Sequence, residues 1–584
     1  MGMDKDQVIA VLEEIGVLLE LKGENPFKTR AYASAARRLE GLVEPLERVV
    51  AEGRLGELPG VGEALRQKIT ELVTTGRLGY YEELKASVPA GLLELLGIPG
   101  LGPKKLKVLH EKLGVESMEG LEAACLAGSV AELSGFGEKT QAKLLEGIRF
   151  RREHSSQHLL PEVLGVAEAV ADWLRSLDEV IRCSVAGSLR RWKEVVGDLD
   201  FVVSSRDPAV VLGAFVEQPG VVQVLAHGET KASVVFEGGL QADLRVVSDA
   251  EFVSALAYFT GSKEHNIVMR QRAIERGMRL SEYGLFRSKE ETRDVKLRVA
   301  CRTEEELYQA LDLAYVPPEM REDRGEFELA ERGALPRLLE WTDLKGSLHN
   351  HSNWSDGRQS LEEVGEMAVG LGCAYWAVTD HSRSSFVANG LDERRLRQQL
   401  KAVAEVNRRY EGEGSSFRLL TGSEVDILGD GRLDFSDDML AELDVVVASI
   451  HQGFTGDEAA MTRRLIRAIE NPHVRILGHM TGRLLLQREG YRVDAMAVIE
   501  ACAATGTWIE LNASPMRLDM DWRLWGEALR RGVRCVINCD AHREEHAGWL
   551  RLGAGVARKA GMTREDVMNT RSLVALREAL GGKR

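Results

Sequence analysis

After Trp341, one apolar strand-like run after another ends in a histidine or a carboxylate, and any fold for this stretch must bring those ends together. The runs are Ser347-Leu-His349-Asn-His351 with Asp356 close behind, Tyr375-Trp-Ala-Val-Thr-Asp-His381, Thr421-Gly-Ser-Glu424, Asp444-Val-Val-Val-Ala-Ser-Ile-His451, Arg475-Ile-Leu-Gly-His479 and Arg534-Cys-Val-Ile-Asn-Cys-Asp540-Ala-His542. Eight of the thirteen histidines lie in this part of the chain. Strands alternating with helices from about residue 341 predict a parallel α/β fold. Its strand ends would share one mouth, where barrel enzymes place their chemistry. Six histidines and three carboxylates suit about three ions, and imidazole mixed with carboxylate favours Zn²⁺, Mn²⁺ or Fe²⁺. His473 and His546 fall outside the pattern and read as surface residues.

A chain of 584 residues exceeds one core and predicts about three to five domains. Hydrophobic content of 44% and charged content of 29% are those of a soluble globular protein, and no apolar run is long enough to cross a bilayer. Met1-Gly-Met-Asp-Lys-Asp-Gln lacks the basic and apolar regions of an export signal, which places the chain in the cytoplasm. Seven scattered cysteines without Cys-x-x-Cys read as reduced thiols, with Cys535 and Cys539 packed in a core. A formal charge of -15 excludes a generally basic nucleic-acid binder, so any DNA contact must come from local patches and backbone amides.

From Asp4 to about Leu84, apolar residues at helical spacing (Val8, Leu12, Ile15, Leu19) predict a small helical domain, and helical sequence continues to about His158. A punctuation mark repeats: Leu58-Pro-Gly60-Val-Gly62, Ile98-Pro-Gly100-Leu-Gly102 and Leu133-Ser-Gly135-Phe-Gly137, each opening an amphipathic helix. Glycine turns at helix N-termini let backbone amides approach a phosphate, and Lys104, Lys105, Lys139 and Lys143 add charge behind them. The three copies resemble the helix-hairpin-helix motif, which grips the DNA backbone without reading sequence.

After Pro161 the texture becomes α+β, with strands expected at Arg182–Ala186, Leu199–Val203, Lys231–Phe236 and Ala242–Val247. Residues two apart on a strand share a face, so Asp198 and Asp200 point the same way, and Asp243 holds the same phase on another strand. Such a trio suits two Mg²⁺ or Mn²⁺ ions about 3.5–4 Å apart, the arrangement nucleotidyl transfer needs. Gly187-Ser188 ends a strand ahead of the carboxylates where a turn could hold a triphosphate, and Arg191 supplies a guanidinium for phosphate charge. Downstream comes Tyr258-Phe259-Thr-Gly261-Ser-Lys263-Glu-His-Asn266-Ile-Val-Met-Arg270.

With Gly-Ser…Arg, Asp-x-Asp, a third Asp and Tyr-Phe-Thr-Gly-Ser in place, residues from about 1 to 320 resemble a family X DNA polymerase, similar in layout to DNA polymerase beta. The resemblance implies Asp198, Asp200 and Asp243 as metal ligands, and Ser188 and Arg191 as contacts to the incoming triphosphate. It puts Tyr258 and Phe259 at the sugar, Gly261 in the nucleotide-binding turn, Asn266 at the minor-groove edge and Arg270 on the template. Gln241 departs from the beta polymerase's arginine, and Lys263 replaces an acidic residue, where a cation would tighten triphosphate binding. The N-terminal domain resembles the deoxyribose-phosphate lyase domain of that family, with Lys68 at the nucleophile position and Lys28 and Tyr32 on the phosphate side. Ala64 and Ser34 stand where the beta enzyme has lysines.

His349-Asn-His351, Thr379-Asp-His381 and Asp540-Ala-His542 resemble the polymerase-and-histidinol-phosphatase (PHP) domain, from about 341 to 575. That implies a distorted (β/α)7 barrel with a trinuclear site: His349, His351, Glu424 and Asp540 around one ion, Glu424, His451 and His479 around a second, and Asp356, His381 and His542 around a third. Arg483, just after His479, is read as a phosphate clamp.

The expected organisation is a lyase-like helical domain (1–85), a helix-hairpin-helix domain (86–158), a nucleotidyltransferase palm (159–250), a small thumb-like α+β domain (251–320), a charged linker (321–340) and the PHP barrel (341–584). The expected function is gap filling in DNA repair with 3′-to-5′ exonuclease action on gapped or primed duplex DNA, using dNTPs, by a nucleoid-associated bacterial monomer. Two other readings share the sequence: a polymerase whose PHP domain is a metal-binding scaffold, and a non-catalytic DNA-bridging protein.

Overall fold

The computed structural model describes residues 2–581 apart from 41, 43, 44, 99 and 155, so Pro99 of the second glycine-rich copy lies outside the described residues. The chain divides into two compact units, residues 1–155 and 156–584. Among the described residues no helix is long and apolar enough to cross a membrane.

Among the described residues the regular elements of the first unit are all helices. Its opening helix, Lys5–Leu21, is capped by Asp4, whose side chain accepts from the Gln7 amide. The stripe Val8, Leu12, Ile15 and Leu19 is buried in the unit's core, as its spacing predicts. The three glycine turns share one backbone device: Gly60, Gly100 and Gly135 sit at φ +85°, +81° and +87°, where a side chain would be strained. Gly62 and Gly102 then cap the helices Glu63–Thr75 and Pro103–Leu113, whereas Gly137, itself at φ +67°, is the first residue of the helix Gly137–Glu153. A Cβ on five of these six glycines would meet no atom within 4 Å, so the turns are open on that side.

The second unit contains two main sheets. The first is mixed and five-stranded: β1 (Val180–Val185), β2 (Asp198–Ser205), β3 (Val221–His227), β4 (Lys231–Phe236) and β5 (Gln241–Val247), in spatial order β1-β2-β5-β4-β3. Four of these were expected; β3 was not, because it is an edge strand whose Val222, Val224 and Leu225 face solvent and blur the alternation. The second sheet is parallel, with strands β6 (Tyr375–Val378), β7 (Arg418–Asp426), β8 (Val445–Ser449), β9 (Ile476–Leu477), β10 (Trp508–Asn512) and β11 (Cys535–Asn538) side by side in chain order. Residues 345–351 lie between its two edges. The amides of Ala377 and Thr379 donate to the Ser347 and Asn350 carbonyls on one side, and the Asp540 amide donates to the His349 carbonyl on the other. Cys535 and Cys539 are buried, as expected, and the cysteines of the described residues are free thiols.

The stretch 321–340, read from its charge as a linker, is a packed element. Arg321 is fully buried and donates to Glu304 at 2.7 Å, and Phe327 and Ala330 of the helix Glu326–Glu331 join the core around Tyr308. Its charges looked solvated only because their partners are remote in sequence. Farther on, the helix Leu550–Lys559 seats Trp192: the indole donates to the Leu552 carbonyl at 3.3 Å, and a Cβ on Gly555 would fall 1.7 Å from the indole nitrogen. Gly555→Val should therefore lower unfolding stability by about 1–3 kcal/mol through overpacking. A thermal midpoint equal to the parent's would show that the indole does not need that seat.

Candidate metal centres

In the mixed sheet, β2 and β5 run parallel with Asp200 directly opposite Asp243 and Asp198 opposite Gln241. The ladder therefore brings together the three carboxylates that strand phase put on one face. Burial, then the neighbouring Asp198 and Asp243, pushes Asp200 up to about 7, and burial and Asp243 raise Asp198. Asp243 is half-buried, which would raise it, but hydrogen bonds from Lys231, Ser233 and Gln241 hold it below the usual range, with Lys231 Nζ at 2.5 Å. Crowded, desolvated carboxylates of this kind fit divalent cations, which relieve the repulsion. Gly187, at φ +61°, turns the chain directly against them: a Cβ there would sit 1.9 Å from Asp200 Oδ2.

Arg191, beside this site, is held by hydrogen bonds within the protein. Its Nη1 donates to the Thr260 carbonyl at 2.7 Å and the Gly261 carbonyl at 3.2 Å, and its Nε donates to Glu322 at 3.0 Å. Asn266 is likewise engaged, its amide donating to the Tyr258 carbonyl at 2.6 Å. Tyr258 and Phe259 pack edge to face, and Lys263 is exposed in the first turn of the helix that Ser262 caps. Arg270 is exposed on the same helix.

At the mouth of the parallel sheet all nine expected ligands converge. Glu424, buried at the end of β7, is the hub: Nε2 of His349, His351, His451 and His479 and Nδ1 of His381 lie 3.3, 3.6, 3.1, 2.9 and 2.9 Å from its oxygens. Asp540 lies 3.0 Å from His351 and 3.6 Å from His349. Asp356 lies 3.6 Å from His381 and 3.5 Å from His542. Three groups have donor atoms within 4.8 Å of one another: His351, Asp356, His381 and His542; His349, His351 and Asp540; and His381, Glu424 and His451. His381 thus reaches two groups, one ring nitrogen toward each.

Two observations show that this donor set fits metal ions. His349 Nε2, His351 Nδ1, His381 Nδ1 and His479 Nδ1 are buried without a hydrogen bond, although buried polar atoms are nearly always paired. The charges are also unbalanced: burial alone would lower His451 and His542, yet the adjoining carboxylates hold them up at about 10 and about 9. The cluster draws protons where cations would serve. His479 and Asp540 adopt φ +21° and +51°, unusual conformations that aim their side chains inward.

The sequence reading missed the residues that orient these ligands. His349 Nδ1 lies 2.7 Å from Glu510 and His451 Nδ1 lies 2.8 Å from Asp426, which leaves Nε2 of each ring as the lone-pair nitrogen. Asn512 donates to Asp540 at 3.1 Å, and His546, set aside as a surface residue, accepts from the His542 amide at 3.2 Å and stacks on Trp549. A signal was available: Glu424-Val-Asp426 and Glu510-Leu-Asn512 are polar pairs two apart in otherwise apolar strands. Arg483, read as a phosphate clamp, is spent elsewhere. It is paired with Glu194 and with Asp521 at 3.0 Å and donates to the Arg517 and Leu518 carbonyls. Arg517 stands at the mouth instead, its Nε 4.0 Å from Asp540.

In the first unit Lys68 Nζ donates to the Tyr32 hydroxyl at 2.8 Å and lies 3.8 Å from the centre of the Tyr80 ring. Burial and the neighbouring Lys28 lower its pKa. Lys28 lies 5.8 Å from the same ring centre.

A DNA polymerase/3′-5′ exonuclease PolX of Bacillus subtilis is 40% identical to the chain over 573 residues, 98% of both proteins. The chain belongs to family X of the DNA polymerases. Family models agree in detail: a DNA polymerase beta thumb matches residues 255–322, a helix-hairpin-helix domain 3–78 and a SAM-like helix-hairpin-helix tandem 92–149. DNA polymerase lambda of Rattus norvegicus is 27% identical over 338 residues, 53% of this chain and 56% of that protein. A probable phosphatase of Thermoanaerobacter is 30% identical over 162 residues, 26% of this chain and 64% of that protein.

Replacing Glu510 by Gln removes the carboxylate that fixes the His349 tautomer, and the affinity of the cluster for Zn²⁺ or Mn²⁺ should fall about 10–100-fold. Chelator competition measures this, and an unchanged affinity in a folded variant would exclude the orienting role.

Proposed function

We propose that this family X polymerase fills short gaps in DNA and trims 3′ ends, with the two chemistries in separate centres of the second unit. The observation that carries the reading is the pair of convergent ligand sets: Asp198, Asp200 and Asp243 across β2 and β5, and the nine donors gathered around Glu424. The first set is chemically suited to two Mg²⁺ or Mn²⁺ ions and the second to about three Zn²⁺, Mn²⁺ or Fe²⁺ ions. Bound there, divalent cations supply Lewis acidity and lower the pKa of a hydroxyl or water at neutral pH.

The protein's own part is placement. Gly187 and Ser188 offer a tight turn for a triphosphate next to Asp200, and Tyr258, Phe259, Gly261, Lys263 and Asn266 surround the sugar and base. Arg270 lies on the template side. In the parallel domain His349, His351, Glu424 and Asp540, then Glu424, His451 and His479, then Asp356, His381 and His542, form the three ligand groups, with Arg517 taking the phosphate-clamp role at their mouth. Residues 345–351 supply the seventh stave of a distorted (β/α)7 barrel. The domains are those drawn from the sequence, with 321–340 joined to the thumb instead of linking it to the barrel. Gapped or primed duplex DNA is held through the open turns at Gly60, Gly62, Gly100, Gly102, Gly135 and Gly137, helped by Lys104 and Lys139. The protein acts in the cytoplasm at the nucleoid, as a monomer.

The first unit adds a lyase step, supported by the lowered pKa of Lys68 and its place between Tyr32 and Tyr80. Borohydride should trap the wild type on a 5′-deoxyribose-phosphate end and fail to trap Lys68→Ala; trapping that survives the substitution rejects Lys68 as nucleophile.

The nuclease is tested on 5′-labelled primer–template with Mn²⁺ and no nucleotides. Asp200→Ala protein should shorten the primer, and Asp200→Ala/His351→Ala protein should not. Shortening by neither would mean that the cluster is a scaffold or acts on another phosphate ester.

A further inference from the structure

The helix Leu550–Lys559 belongs to the parallel-sheet domain, yet its last side chain reaches the segment that carries Arg191. Lys559 is fully buried at its ammonium-bearing side chain, and Nζ donates to Glu322 at 2.6 Å and to the carbonyls of Arg191 and Glu319 at 3.0 and 3.3 Å. Trp522 of the same domain lies beneath it, with its ring centre 4.4 Å from Nζ. Burying a lysine is costly unless the charge is paired. All three of its hydrogen-bond acceptors lie outside the parallel-sheet domain, so the side chain is committed to the seam.

Glu322 is in turn shared. It accepts from Arg191 Nε at 3.0 Å as well as from Lys559, and Lys193 Nζ lies 3.7 Å away. One carboxylate thus faces three cations, an excess of two positive charges, and one of the three, Arg191, follows four residues after Gly187. Arg191 is among the charges that act on Asp200, which places it within electrostatic reach of the polymerase carboxylates.

We propose that Lys559 and Glu322 are positioning residues for Arg191, through which the C-terminal domain sets how readily that arginine engages the triphosphate of an incoming nucleotide. Glu322 and a triphosphate compete for the same guanidinium. Lys559 draws off part of the Glu322 charge, loosening its hold on Arg191, and keeps the cluster positive toward the anionic nucleotide. The inference rests on the polymerase reading above and gives the C-terminal domain a part in nucleotide binding that needs none of its metal ligands.

The signs separate this from simple packing. In one-nucleotide gap filling by the full-length protein, Lys559→Met should raise the KM for the dNTP about tenfold with little change in kcat, the size expected for losing one charged hydrogen bond. Glu322→Gln, which frees Arg191, should leave KM at or below the wild-type value. The double variant restores the excess of two positive charges and should return KM close to wild type, and because it leaves no unpaired buried carboxylate it remains informative if Lys559→Met folds poorly. Thermal midpoints on the same preparations report folding. An unchanged KM in folded Lys559→Met, or a double variant no better than the worse single one, overturns the proposal, as does a rise in KM for Glu322→Gln. Absence of gap filling by the wild type would instead remove the polymerase reading beneath it.

Discussion

Glu424 is a buried carboxylate faced by five imidazoles, and the arrangement of the C-terminal domain follows from keeping that anion neutralised. A buried charge survives only with opposite charge or metal beside it. Parallel strands in chain order satisfy this by delivering one ligand after another to the same end of the sheet. Glu510 and Asp426 then fix the rings, and the unusual backbone at His479 and Asp540 turns the last ligands inward. The same constraint recurs in the mixed sheet, where Asp200 is crowded by two carboxylates and by Gly187, and Lys231 balances only Asp243 directly.

The two centres belong to one compact unit, and its seam is made of charged pairs as well as apolar contact. Arg483 meets Glu194, Lys559 meets Glu322, Arg558 meets Glu319, and Trp192 rests on Gly555. Buried pairs of this kind add less to stability than to specificity of arrangement, because removing either partner strands the other without solvent. The seam therefore ties the geometry near the Gly187 turn to the domain that carries the histidine and carboxylate cluster.

Much of this was legible in the sequence where chemistry and periodicity coincide. Asp198, Asp200 and Asp243 were placed together by strand phase, and the register of β2 against β5 agrees. The convergence of the nine candidate donors was foreseeable because most of them end apolar runs, and the run-ending position is what a parallel sheet brings together. The glycine turns were readable because glycine adopts the positive φ found at Gly60, Gly100 and Gly135 without the strain a side chain would bring. Arg483 and the stretch 321–340 were misread, and the pairing of Arg191 with Glu322 went unseen, for one shared reason. An arginine near a catalytic motif looks free until its partner is known, and these partners lie far away in sequence: Glu322 is 131 residues from Arg191 and Glu194 is 289 from Arg483.

The sequence by itself determined most of the elements, the types of candidate donor and the side of each strand on which they lie, because periodicity and donor chemistry are local properties. Tertiary structure alone decided which cations are paired at the seam and with which carboxylates. That choice depends on desolvation and on charge pairing between segments that meet only after folding, and no local pattern encodes it.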